Sequence, residues 1–208
     1  MQRILILFLL IVSSYTFAQK KEEKRVRTTF ENYKSAILNE NGAEAVNYLD
    51  SRTIAYYTEI VSLVKTADSI AVEGLSFQDK FIVLTIRHRA TREEILEFDG
   101  KSLIVFAVNK GMIGKNSVMN CSIGEVNVNR GFANGEFLSN GQKTPFLYEF
   151  NKEDNQWKID LTAIFSLADL VFKQVIAKSG MTENEFLFSM LESLSGTKPG
   201  PEVWLPVN

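Results

Sequence analysis

One imidazole, three closely spaced arginines, one thiol and a scatter of tyrosines and aspartates are the side chains through which this sequence could run chemistry. His88 is the only histidine, and an imidazole can shuttle protons near neutral pH. Its plainer role is a packed or half-exposed structural residue. Arg87, Arg89 and Arg92 surround it as the densest basic cluster. Guanidinium groups clamp carboxylates or phosphates through paired hydrogen bonds. The competing reading is a solvated helix face pairing with Glu93, Glu94 or Glu97, where exposed ion pairs are worth about 0–1 kcal/mol.

Other chemistries drop out on composition. Zinc wants several His or Cys ligands and the chain has one of each, so no metal site is predicted. With one histidine, serine and cysteine nucleophiles lack independent support. Gly111-Met112-Ile113-Gly114 lacks the lysine and helix start of a phosphate loop, and no cofactor is implied. Cys121 cannot form a bridge within the chain and reads as a small buried hydrophobe. Asp99, before Gly100, reads as a turn or cap residue. Asp160 alternates with Trp157, Ile159 and Leu161, so it either points to solvent or caps the next helix.

The N-terminus predicts export. Arg3 precedes the apolar run Ile4 to Val12, and Thr16-Phe17-Ala18 offers small residues where a signal peptidase reads. Residues 1–18 are thus expected to be a cleaved signal peptide, with Gln19 opening a periplasmic or secreted protein. The run is roughly half of the ~20 residues that span a bilayer, and no cysteine follows it for lipid attachment. The remaining ~190 residues suit one domain with a real core. A net charge of −2 argues against nucleic acid or an anionic membrane surface as main partner.

Residues 19–25 read as a short, loose charged leader. Val26, Phe30, Tyr33 and Ile37 then recur at helical spacing, with Asn41-Gly42 as the stop. Ser51 is expected to cap a helix carrying Ile54, Tyr57, Ile60 and Val64. Ser76 opens a segment with Phe77, Phe81, Leu84 and His88 on one face. Residues 81–86 and 103–108 admit helix or buried strand, the latter leaning helix. Thr91 to Glu94 and Thr182 to Glu185 are capping boxes.

Past Gly114, alternation predicts four strands near 123–128, 132–138, 144–150 and 156–161, with Asn140-Gly141 as a hairpin turn. Helices resume after Leu161, stopped by Gly180, and residues 196–208 form a Pro-rich, non-helical tail. Trp204 and Leu205 in that tail are expected to dock on the domain or on a partner. Helices, then a meander, then helices imply one α+β domain over residues 26–195, with helices on a curved four-stranded antiparallel sheet.

Phe150 to Asp160, with its acidic turn followed by Trp157-Lys158, resembles the closing hairpin of nuclear-transport-factor-2-like (NTF2-like, cystatin-like) domains. The early Phe30-Tyr33-Ile37 helix and the small helix after Gly42 are similar to their opening, although this chain has more helix before the sheet and after it. The resemblance implies a cone with a pocket between helices and concave sheet. It would be lined by Phe30, Tyr33, Tyr57, His88, Tyr148 and Trp157. The leading expectation is an exported, non-enzymatic module binding a small apolar molecule or a protein, with a homodimer through the sheet face as an option. One alternative is an isomerase or dehydratase using His88 with a pocket tyrosine such as Tyr33, Tyr56 or Tyr57. Another is an inhibitor or immunity-type protein acting through its tail and open sheet face. Fold alone does not choose among them.

Overall fold

Periodicity decides the first layer. Val26, Phe30, Tyr33 and Ile37 are all buried on one side of the helix they predict, α1 (Gln2–Leu38). The structure is a computed structural model describing residues 2–207, and the predicted signal peptide, residues 1–18, lies outside those whose side chains are described. α1 runs unbroken through residues 19–25, so the charged segment is helical rather than loose. Among the described residues, no helix is long and apolar enough to cross a membrane.

The helical half continues as α2 (Gly42–Ala45), α3 (Ser51–Thr66), α4 (Ser69–Glu73), α5 (Phe77–Arg89), α6 (Arg92–Glu97) and α7 (Gly100–Asn109). Both ambiguous segments are therefore helix, within α5 and α7. Capping chemistry sets the starts: Ser76, Thr91 and Asp99 cap their helices, the last two in reciprocal capping boxes. Two expectations shift by a residue or a role. α3 is capped by the buried Asp50 rather than Ser51. After α1 the left-handed residue is Glu40 (φ 54°). Gly42 serves close packing instead, since a Cβ there would lie 2.5 Å from the Val105 carbonyl oxygen of α7.

The sheet follows as β1 (Cys121–Asn129), β2 (Phe132–Ser139), β3 (Gln142–Glu153) and β4 (Gln156–Asp160), in the order β1-β2-β3-β4 with every pair antiparallel. Asn140 (φ 50°) and Gly141 (φ 75°) are both left-handed, as a tight two-residue hairpin requires. Irregularities between Ile123 and Val126, and between Glu136 and Leu138, shift the register; extra residues of this kind bend a sheet. α8 (Phe165–Ser179) and α9 (Glu183–Ser195) close the α+β domain. Left-handed Gly180 follows α8, and Thr182 with Glu185 forms the second capping box.

α1 is fixed to the sheet by polar ties as well as packing. Arg27 Nη1 donates to the Ile123 carbonyl at 3.0 Å and Lys34 Nζ to the Cys121 carbonyl at 2.7 Å, both on β1. Phe30 meets Tyr148 of β3 with ring centroids 4.7 Å apart. The tail is tied in rather than free. Val203 is buried, Trp204 stacks on Phe188, and the Val207 amide donates to the Lys65 carbonyl at 3.0 Å. It includes one 3-10 turn, Pro201–Trp204, because proline at a first helical position loses no needed N–H. Leu205 stays exposed.

Candidate functional site

The six aromatic and imidazole residues expected around one pocket divide among four environments. Phe30, Tyr33 and Tyr148 pack in the core between α1 and the sheet, where Tyr148 also meets Phe137 at 4.7 Å. Trp157 is 3% exposed and floors the edge of a separate cleft of about 550 Å³ with Lys21, Lys24 and Arg25. His88 faces the tail. Tyr57 alone of the six lines the apolar cavity described below. The interior beside the sheet is thus packed with side chains: Phe150 and Ile159 join Phe30 and Trp157 at 3% exposure or less.

His88 Nε2 lies 2.9 Å from Ser195 Oγ and 3.2 Å from both the carbonyl and the hydroxyl oxygen of Thr197. No tyrosine joins it among the described hydrogen bonds. The serine is already used locally, donating to the Thr197 carbonyl at 2.8 Å and accepting from its amide at 3.1 Å. This is a turn after α9 stapled to α5, without the orienting carboxylate that an activated serine needs. Sequence gave no sign of it, because a hydroxyl 107 residues away carries no local pattern.

The three arginines lie in separate surroundings rather than converging on one point. Arg87 is buried and donates to the carbonyls of Val64 (3.0 Å), Leu63 (3.0 Å), Ala67 (2.6 Å) and Val203 (3.2 Å). It satisfies the last carbonyls of α3 and holds the tail to them. Burial lowers its pKa from the usual guanidinium value. Arg89 Nη2 donates to the Lys110 carbonyl at the end of α7, and Arg92 is exposed on α6. Asp99 caps α7, as expected. Asp160 caps the Thr162 turn at 2.8 Å but is buried, not solvated.

Two features bear on chemistry. Tyr56 Oη donates to Asp79 Oδ1 at 2.5 Å, beside Phe165. Burial and then the neighbouring carboxylate push the Tyr56 phenol up, so it stays protonated. Its proton is committed to Asp79, which suits a structural tie between α3 and α5 rather than a pair aimed at a substrate.

The second is a cavity of about 190 Å³ between α3, α5, α7 and the loop at Met112 and Ile113. Its wall is Tyr57, Gln78, Phe81, Ile82, Thr85, Ile86, Leu103 and Ala107. The Thr85 hydroxyl donates to the Phe81 carbonyl at 2.6 Å, which leaves Tyr57 and Gln78 as the side chains with a donor for a ligand. Burial pushes Tyr57 up to about 12, so its phenol keeps its proton across the neutral range. No carboxylate or imidazole is among the described lining residues. Comparison with protein-family models, with curated proteins and with solved structures gave no match for this chain.

Proposed function

We propose that this chain is an exported, non-enzymatic binding module, distantly NTF2-like, that holds a small apolar ligand between α3, α5 and α7. The observation that carries this reading is the makeup of the cavity wall: mostly apolar side chains with one phenol, one amide and one threonine hydroxyl, and no carboxylate or imidazole. Ligand sites commonly combine an apolar lining with a few orienting polar groups. Proton-transfer chemistry needs a group that takes and returns a proton near neutral pH, which this wall does not present. The signal-like N-terminus supports export, and the order of small helices before an antiparallel meander supports the distant kinship.

At about 30 Å³ per water-sized group, the space suits a ligand of roughly six heavy atoms, more where it opens. The test is thermal denaturation with a series of neutral alcohols from butanol to decanol, and with indole. Binding predicts a melting temperature that rises with concentration and peaks at one chain length. Ala107→Phe, which fills the cavity, should remove the rise while leaving the circular dichroism of the native state. A rise that survives in Ala107→Phe, or no rise with any member, would overturn the reading.

A further inference from the structure

A second concave surface lies away from Tyr57. α4 and the first half of α9 flank an open groove of about 830 Å³, to which Trp204 of the tail also contributes. Its apolar surface is Ile70, Phe188 and Trp204. Ile70, the second residue of α4, is 82% exposed, an unusual placement for a large β-branched apolar side chain. Phe188 and Trp204 stack with planes 14° apart, giving a stiff aromatic wall.

The charged groups of the groove are carboxylates, beside the polar side chains of Ser69 and Asn184. Glu73 stands on α4 and Glu185 on α9, both lining it. Asn184 gives its amide N–H groups to both Glu73 oxygens at 3.2 Å, and its Oδ1 is buried with no hydrogen-bond partner. Buried acceptors are nearly always paired, and this oxygen is an exception held behind the groove surface. Behind them Lys80 is buried, bonded to Glu183 at 2.8 Å and 3.6 Å from Glu73. One lysine among Glu73, Glu183 and Glu185 leaves the locality negative.

We infer that this groove docks a segment of a partner protein that presents an arginine or lysine beside an apolar residue. The aliphatic stem and the apolar neighbour would cover Ile70 and the Phe188–Trp204 wall. The cationic head would reach the exposed carboxylates of Glu73 and Glu185, supplying N–H donors to them. Apolar area provides the attachment and charge complementarity the selectivity. This site is separate from the cavity beside Tyr57 and stands or falls without it.

The experiment uses the full chain and three fluorescent 12-residue peptides, alternating arginine–leucine, glutamate–leucine and arginine–serine. Fluorescence anisotropy should show saturable binding of the arginine–leucine peptide, weakening as salt rises. Ile70→Ser and the double variant Glu73→Gln/Glu185→Gln should each weaken it about tenfold. Ile70 and Glu185 are exposed, and glutamine still completes the α9 capping box, so both variants should fold. Equal binding of the glutamate–leucine peptide would remove the role of charge, and equal binding of the arginine–serine peptide would remove the groove. No binding, no effect of the variants, or self-association that blocks the groove would likewise overturn the inference.

Discussion

The indole nitrogen of Trp157 donates to Glu22 Oε2 at 2.8 Å, tying α1 to the last strand of the sheet. Lys152 Nζ reaches the same oxygen at 2.8 Å, and Arg25 reaches Oε1 at 2.8 Å. Glu22 is thus the hub of a network joining α1, β3 and β4. The segment before Val26 is part of the fold, and a cut after residue 18 would keep the network while a cut seven residues later would remove it.

The first prediction concerns acid. Burial raises the Glu22 carboxyl, but the hydrogen bonds from Lys152, Arg25 and Trp157 outweigh it and bring the pKa from 4.5 down to about 2. A group depressed in the fold stabilises it above the unfolded pKa and loses that contribution as pH falls through the folded one. The Glu22 contribution should be complete above about pH 4.5 and gone near pH 2. Glu22→Gln should therefore melt lower than wild type at pH 7, with the gap closing on acidification. A gap that is the same at pH 2.5 and pH 7 would show that the carboxylate charge is not what matters.

The second concerns the tail. Arg87 satisfies four carbonyls, one of them on Val203. Arg87→Met keeps the stem and strands those acceptors, so we expect a loss of about 3 kcal/mol in urea denaturation. Lysine has a single ammonium and cannot reproduce the fork, so Arg87→Lys should recover only part of this. Removing residues 203–208 should destabilise the domain as well. If the truncated chain melts like wild type, the tail is not part of the fold.

Local pattern was enough for elements whose cause is local. The capping boxes at Thr91 and Thr182, the Asn140-Gly141 hairpin, and the alternation of Trp157 and Ile159 all appear in the structure as the sequence predicts. The pocket was harder, because its wall depends on how whole helices pack. Periodicity places Phe30 and Tyr33 on the buried face of α1, but whether that face meets a space or other side chains depends on Phe150, Trp157 and Ile159 more than a hundred residues later. Arg87 failed for the same reason: three arginines near one histidine look like a charged surface until the carbonyl ends of α3 and the tail close over one of them. Asn184 and Ile70, which shape the groove, carry no motif at all.

Alkali supplies a third test. Tyr57 is raised by burial to about 12, and burial drives Tyr33 and Tyr148 higher still. For groups raised in the fold, the stabilising contribution is present below the unfolded pKa of about 10 and is lost as pH climbs through the folded value. The protein should keep its melting temperature up to about pH 10 and lose it steeply toward pH 12. Tyr57→Phe should make that decline shallower. Phenolate absorbance that develops with a midpoint near 10 for all tyrosines, before unfolding, would contradict the burial described for these three.

Gly100 gives the last prediction and links packing to the proposed ligand. A Cβ at this position would lie 2.4 Å from Thr58 Oγ1 and 2.5 Å from the Ile54 carbonyl oxygen, so α7 can start against α3 only if residue 100 is glycine. Three residues on, Leu103 faces the cavity that Tyr57 lines from α3. Gly100→Ala must push the two helices apart, at a cost of about 1–3 kcal/mol, and widen the cavity between them. The alcohol that best stabilises this variant should then be longer than the one preferred by wild type. Gly74→Ala is the control, since the nearest atom its Cβ would meet, the Ala71 carbonyl oxygen, is 3.6 Å away and no displacement is needed. If both variants lose stability equally, or if the preferred chain length does not move in Gly100→Ala, the crossing of α3 and α7 does not set the size of the site.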